Sequence, residues 1–287
     1  MGPPYGGDPL VCTAVLRRSG AELLLGAGLF AAAPGRGRVP YMLQVCLNGV
    51  RRTDESPWIP VSAEEAAAEA RRAVRAGAQD VHLHPKDHRG HDSLDAAVVR
   101  DVLQAVREAV GPAVAVGVTT GEWTEPDARR RARLVESWTV LPDHASVNWH
   151  EDGADLIART LADRGIGIEA GLFSGTDGPR AHLASPFAGR VLRVLAEISG
   201  APAAQAEEAA LGLVRRLAGT TGAPVLLHGE DDTAWPVLRT AARLGLDTRI
   251  GLEDTLRLPD GSPAEGNAPL VAAARDILAR GAETAAP

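Results

Sequence analysis

Residues 62–84 read SAEEAAAEARRAVRAGAQDVHLH, one stretch that holds a helix, both of its ends and the strand that follows. Ser62 stands three residues before Glu65, the spacing of a capping box, in which each side chain satisfies a backbone N–H of the other. An Ala/Glu/Arg interior follows, and Gly77 supplies the left-handed residue that ends a helix. Asp80 to His84 then reads as a short strand. A strand entered from a helix through so short a turn is half of a repeating βα unit.

Outward from this stretch the alternation repeats. Strands are expected at Met42 to Leu47, Asp80 to His84, Ala113 to Val118, Ala145 to Asn148, Gly167 to Leu172, Val191 to Ile198, Val225 to His228 and Thr248 to Leu252. A segment of helical period follows each, although Ser174 to Arg190, with scattered Gly, Pro and Ser, reads partly as a long loop. Eight units predict an α/β fold of the (β/α)8 TIM-barrel type, one catalytic domain over residues 41–287, in preference to an open doubly wound sheet. Residues 1–40 are expected to form a loosely ordered extension, with Met42 as a candidate true start.

Composition narrows the function. A net charge of -7 and 3% aromatic residues argue against a nucleic-acid partner, which needs a basic face or stacking rings. Leu23 to Ala33 is apolar but too short to span a membrane, and Arg17, Arg18 and Glu22 stand just before it. Cys12 and Cys46 cannot build a disulfide framework, so a cytoplasmic protein with no membrane partner is expected. No glycine-rich phosphate loop follows a strand, which leaves dinucleotide chemistry without support.

Chemistry concentrates at strand ends. His82 and His84 stand two apart, so both imidazoles point to one side of the sheet near the barrel mouth. Two neutral imidazoles there suit Zn2+ or another divalent metal; a pair of hydrogen-bonded structural histidines is the alternative. The strand before Glu253 and Asp254 is apolar, and a buried carboxylate needs a cation. In a closed barrel the eighth strand lies beside the first and close to the second, so Glu253 can join His82 and His84 as a third ligand. An acidic capping turn in solvent is the alternative for Glu253 and Asp254. Asn48, Thr119, Thr120, Ser146, Asn148 and His228 end their strands at the same rim and describe a polar ring.

The chain from Met42 to Arg280 resembles the β-keto acid cleavage enzymes. The motifs that carry the resemblance are VHLHPKD from Val81, TTG at Thr119 to Gly121, SVN at Ser146 to Asn148, and RIGLEDTLRLPDG from Arg249 followed by GNAPLV with Asn267. The resemblance implies a zinc-dependent enzyme that condenses a β-keto acid with acetyl-CoA and releases acetoacetate and a new acyl-CoA. His82, His84 and Glu253 would bind the zinc, and Asp254 would remove a proton from the carbon between ketone and carboxylate. Arg249 would orient Asp254, while Thr119 and Ser146 would surround the substrate with Asn148. A homo-oligomer, dimer or tetramer, is also implied.

Two stretches depart from the family pattern. After the first strand the chain reads Asn48-Gly49-Val50-Arg51-Arg52, with arginine where an acidic residue suits an amino-bearing substrate. Arg51, or else Arg52, is expected to pair with an anionic tail on the keto acid; a solvated cation beside Asp54 and Glu55 is the alternative. LLHGEDD from Leu226 also differs, which leaves the contacts of His228, Glu230 and any CoA open. Another metal-dependent lyase, aldolase or hydrolase would use the same centre, and a non-catalytic metal-binding barrel is a further reading.

Overall fold

The computed structural model describes residues 41–219 and 222–284. The expectations for residues 1–40, Cys12 included, lie outside them. Eight strands alternate with eight helices: β1 Leu43–Cys46, α1 Ala63–Ala76, β2 Asp80–Leu83, α2 Ala96–Val110, β3 Ala115–Thr119, α3 Ala128–Glu136, β4 His144–Asn148 and α4 Ala154–Asp163. The second half continues with β5 Gly167–Phe173, α5 Gly178–Ala184, β6 Arg193–Ile198, α6 Ala206–Leu217, β7 Val225–Gly229, α7 Ala234–Leu244, β8 Thr248–Ile250 and α8 Asn267–Thr284.

All pairings are parallel, in the order β7-β6-β5-β4-β3-β2-β1-β8. The ring is nearly closed where β7 meets β8, through an Leu226–Asp247 bridge, with Leu227 N donating to Asp247 O at 2.9 Å and Thr248 Oγ1 to Leu227 O at 2.8 Å. This is the TIM-barrel architecture expected from the alternation. Within 174–190 the chain does form one short helix, α5, between turns.

The capping box at Ser62 is present: Glu65 N donates to Ser62 Oγ at 3.2 Å and Ser62 N to Glu65 Oε2 at 3.0 Å. Gly77 ends α1 at φ 118. Apolar side chains such as Val81, Leu83, Val99 and Leu103 fill the layer between strands and helices and are fully buried. That layer carries the hydrophobic stabilisation of the fold.

Inside the ring, below the strand ends, the filling is charged. Gln44 Nε2 donates to Asp80 Oδ1 and Glu169 Oε1, both at 2.9 Å. His144 bridges the same two acids at 3.0 Å each, and Arg193 reaches Asp80 at 2.7 Å and Glu169 at 3.1 Å. Burial disfavours the His144 cation, but Glu169 and Asp80 outweigh it and push its pKa to about 10. Two anions therefore meet two cations, and the cluster is neutral where an unpaired charge would be costly.

Asn267 ties the barrel to its site. Its Oδ1 accepts from Leu252 N at 2.9 Å, its Nδ2 donates to Leu47 O at 3.1 Å and Glu69 Oε2 at 3.0 Å, and its N to Glu69 Oε2 at 2.8 Å. One buried amide thus joins the ends of β1 and β8 to α1. Asn267→Ala strands several buried polar groups at once, so urea unfolding is expected to show a loss of about 3 kcal/mol; a loss below about 1 kcal/mol would mean that water replaces the amide.

Candidate metal centre

His82 is the third residue of β2 and His84 lies just past its end; both are buried. Asn48, at the end of β1, continues the pairing with its side chain: His84 N donates to Asn48 Oδ1 at 2.9 Å and Asn48 Nδ2 to His84 O at 3.0 Å. An amide thus replaces the backbone ladder and fixes the histidine's backbone. Glu253 arrives from the turn after β8. Gly251 permits this, because a Cβ there would sit 1.9 Å from Cys46 O, and Glu253 N then donates to that carbonyl at 3.2 Å. Gly49, at φ 57, leaves room for the Glu253 side chain, whose Cγ would be 2.5 Å from a Cβ.

The three side chains converge. His82 Nε2 stands 3.9 Å from Glu253 Oε2 and His84 Nε2 3.8 Å from Glu253 Oε1, with one donor atom of each residue within 4.8 Å of the others. These distances are too long for hydrogen bonds. Donors about 2.1 Å from one tetrahedral ion stand roughly 3.4 Å apart, so a small inward closure brings all three onto a cation. Buried Glu253 Oε2 has no hydrogen-bond partner. The residues fit a divalent metal, and three ligands leave positions for substrate or water.

Protonation suits the same reading. Burial pushes the His82 imidazole down to about 4, the neutral form that ligates metal. Burial opposes charge on Glu253, but Arg249, His84 and His82 outweigh it and hold its carboxyl at about 2. Arg249 is the hub, donating to Glu253 Oε1 at 3.0 Å and reaching Asp254 Oδ1 at 3.0 Å through Nε and 2.9 Å through NH2. The solvated capping turn is thereby excluded, since Asp254 is fully buried.

A second shell holds His84. Its Nδ1 faces Asp92 Oδ2 at 2.7 Å, which selects the tautomer with a free Nε2. Asp92 also accepts from Lys86 Nζ at 2.6 Å and from Trp123 Nε1 at 2.9 Å, and the Trp123 ring stacks on His84 at 5.6 Å. Burial opposes its ionisation, yet His84 and Lys86 keep the Asp92 carboxyl well below the usual range. On the other side His82 Nδ1 looks toward Glu169 of the charged cluster at 3.7 Å.

A cavity of about 390 Å³ opens over these ligands, and Arg51, Thr119, Ser146, Asn148 and Arg249 line it with them. Asn148 is oriented by Glu151, which accepts from its Nδ2 at 2.7 Å. Asp254 is not in that lining; it lies behind Arg249, with Oδ2 buried and unpartnered. Thr120 turns away to bond Ser146 O at 2.6 Å, and His228 is buried between Glu197 and Asp254. Arg51 spans the mouth, donating to Glu253 O at 3.0 Å and Glu55 Oε2 at 3.1 Å, and also bonding Asp231. Arg52 is exposed and reaches Asp54 at 3.6 Å.

Sequence reasoning missed Asp92, Glu169 and Glu197. Each of the two glutamates is a lone acid inside an apolar strand, and that is a readable signal. Asp92 has none, because only the fold of the 86–92 loop carries it to His84.

The family model for beta-keto acid cleavage enzymes matches residues 40–164 and 188–287. The chain belongs to this family. Among curated relatives, the 3-keto-5-aminohexanoate cleavage enzyme of Fusobacterium nucleatum is 35% identical over 81 residues, 28% of this chain and 29% of that enzyme. The aligned part is thus under a third of that enzyme's length. Solved structures share the barrel: type I 3-dehydroquinate dehydratase from Clostridium difficile has a TM-score of 0.59 at 10% identity, covering 85% of this chain and 93% of its own. The Enterococcus faecalis enzyme has a TM-score of 0.57 at 14% identity, covering 84% and 93%. At such identities they show the fold alone. Among the described residues no helix is long and apolar enough to cross a membrane.

Asp92→Asn is expected to weaken metal binding about 10–100-fold, the usual cost of losing the carboxylate that orients a ligating histidine. Chelator competition measures the affinity, and the fluorescence of Trp123 reports occupancy; unchanged affinity would mean that Asp92 serves only the loop.

Proposed function

We propose that this β-keto acid cleavage enzyme is a zinc enzyme that condenses a β-keto acid with acetyl-CoA and releases acetoacetate and a new acyl-CoA. The observation that carries the reading is the convergence of His82, His84 and Glu253 in one cavity with Arg249, which pairs with Asp254 behind the cavity wall. When bound, zinc supplies the positive charge that makes a carbon beside a ketone acidic enough for a carboxylate base.

The remaining work falls to side chains. Asp254 is the base: one oxygen is held by Arg249, and the unpartnered Oδ2 takes the proton. Arg249 keeps Glu253 ionised and bonds Asp254. Thr119, Ser146 and Asn148 offer hydroxyl and amide groups to the substrate carboxylate. Arg51 meets the tail; its partner Asp231 is 72% exposed and is readily exchanged for a substrate anion. A second cavity of about 590 Å³ shares Arg51, Glu55 and Asp231 with the first and has Trp58, Leu256 and Pro259 in its wall, which supports room for a thioester arm. Cytoplasmic location and a homo-oligomer accompany the reading through the family resemblance.

Metal-loaded protein is expected to form acetoacetate only when a β-keto acid and acetyl-CoA are both present. His84→Ala abolishes this together with metal binding, and Asp254→Asn lowers kcat by about 10²–10⁴-fold at unchanged metal content. Bound metal with no acetoacetate from acidic, neutral or amino-bearing keto acids would favour another metal-dependent lyase.

The tail preference is tested separately. Arg51→Glu is expected to lower kcat/KM for acidic-tailed keto acids at least about tenfold relative to neutral ones, since a hydrogen bond to a charged group contributes about 1.5–3 kcal/mol. Equal use of both tails by the variant would remove Arg51 from selection.

A further inference from the structure

Beside the metal ligands, the cavity wall holds a second pair of carboxyl groups. Glu197 lies on β6 and Glu230 follows β7; both line the cavity with His82, His84, Glu253 and Arg249. β6 and β7 are paired in register, Glu197 opposite His228, and Glu230 N donates to Ile198 O at 3.2 Å and Thr233 Oγ1 at 2.9 Å. The Glu230 side chain accepts from the backbone of Thr233 and stands beside Glu197 in the cavity wall. On its far side Glu197 Oε2 meets His228 Nε2 at 3.3 Å, while Glu197 Oε1 is buried without a partner.

Two buried carboxyl groups side by side favour holding one proton, because adjacent like charges oppose each other's ionisation. Their surroundings decide where it rests. Burial and the Glu197 charge push Glu230 up to about 9, whereas His228 and Arg249 hold Glu197 below its usual range against its burial. At neutral pH the wall therefore presents a carboxylic acid at Glu230. The proposed reaction calls for proton transfer at two centres, the carbon beside the ketone and the sulfur of the thioester. Asp254 accounts for the first alone.

We propose that Glu230, sharing its proton with Glu197, is the catalytic acid and base for the thioester sulfur, and that His228 is the positioning residue for Glu197. This rests on the thioester reaction proposed above. When the carbon nucleophile takes the acyl group, the C–S bond breaks with its electron pair on sulfur, and the Glu230 proton converts the thiolate to a thiol. When that thiol attacks the other ketone of the adduct, Glu230 takes the proton back as the new C–S bond forms. The old C–C bond then breaks with its pair on carbon, which regains the proton removed at the start. No oxidant or further co-reactant enters.

The test uses metal-loaded full-length protein and two readouts. Deuterium exchange at the carbon between ketone and carboxylate, measured without thioester, follows the carbon step; acetoacetate formation with acetyl-CoA follows the whole reaction. Glu230→Gln is expected to lower turnover about 100-fold or more while exchange stays within about threefold of wild type. The defect should shrink with an aryl thioester, whose thiolate needs no proton, a dependence that a merely structural role does not produce. Glu230→Asp, which keeps a carboxylic acid, should recover part of the turnover, and the same leaving-group comparison on it decides the matter if Glu230→Gln fails to fold. Near-normal turnover in Glu230→Gln, or a defect independent of the leaving group, would overturn the role. Wild-type protein that exchanges deuterium but makes no acetoacetate would overturn the thioester reaction itself, and the role with it.

Discussion

The arrangement at the barrel mouth depends on one buried guanidinium. Arg249 on β8 is 4% exposed, yet it holds Glu253 at 3.0 Å and the neighbouring Asp254 at 2.9 Å. Without it, two adjacent carboxylates would be taken out of water side by side, which is costly. With it, Glu253 stays an anion, and Asp254 is bonded out of reach of solvent. The planar fork serves both acids at once, which an ammonium group would not do equally well.

Charge balance governs the barrel interior at two levels. The lower cluster of Asp80, Glu169, His144 and Arg193 is neutral within itself and backs His82 from below. The upper level is left short of positive charge: Glu197, Glu230, Glu253 and Asp254 share Arg249, with His228 wedged between Glu197 and Asp254. A divalent cation at Glu253 and a shared proton at Glu230 are two separate ways to relieve that excess. Both positions lie in the same cavity wall.

The supports of the site come from distant parts of the chain. Asn267 at the start of α8 fixes the backbone before Glu253, Asn48 after β1 fixes His84, and Asp92 from the loop after β2 fixes the ring of His84. The segment outside the family match, residues 165–187, includes β5 and α5. That segment brings Glu169 and Phe173 into the barrel, whereas the metal ligands lie in the matched parts.

The eight-unit alternation, the capping box at Ser62 and the closeness of His82, His84 and Glu253 were all legible before any coordinates, because each follows from a local period or from barrel closure. Strand limits moved by only a residue or two. The family resemblance also paired Arg249 with Asp254, as the structure has it, and marked Asn267 as part of a motif, though not what it binds. Only the tertiary structure decided that Asp254 lies behind the cavity wall, that Arg51 is already bound to Glu55 and Asp231, and that Glu197 and Glu230 stand in one cavity wall. The physical reason is that protonation and pairing depend on burial and on side chains from other strands, such as the 36 residues that separate His84 from Asn48 or the 202 between Arg51 and Glu253. A periodic pattern says which face a side chain takes, but the charge it meets there is set by the closed ring.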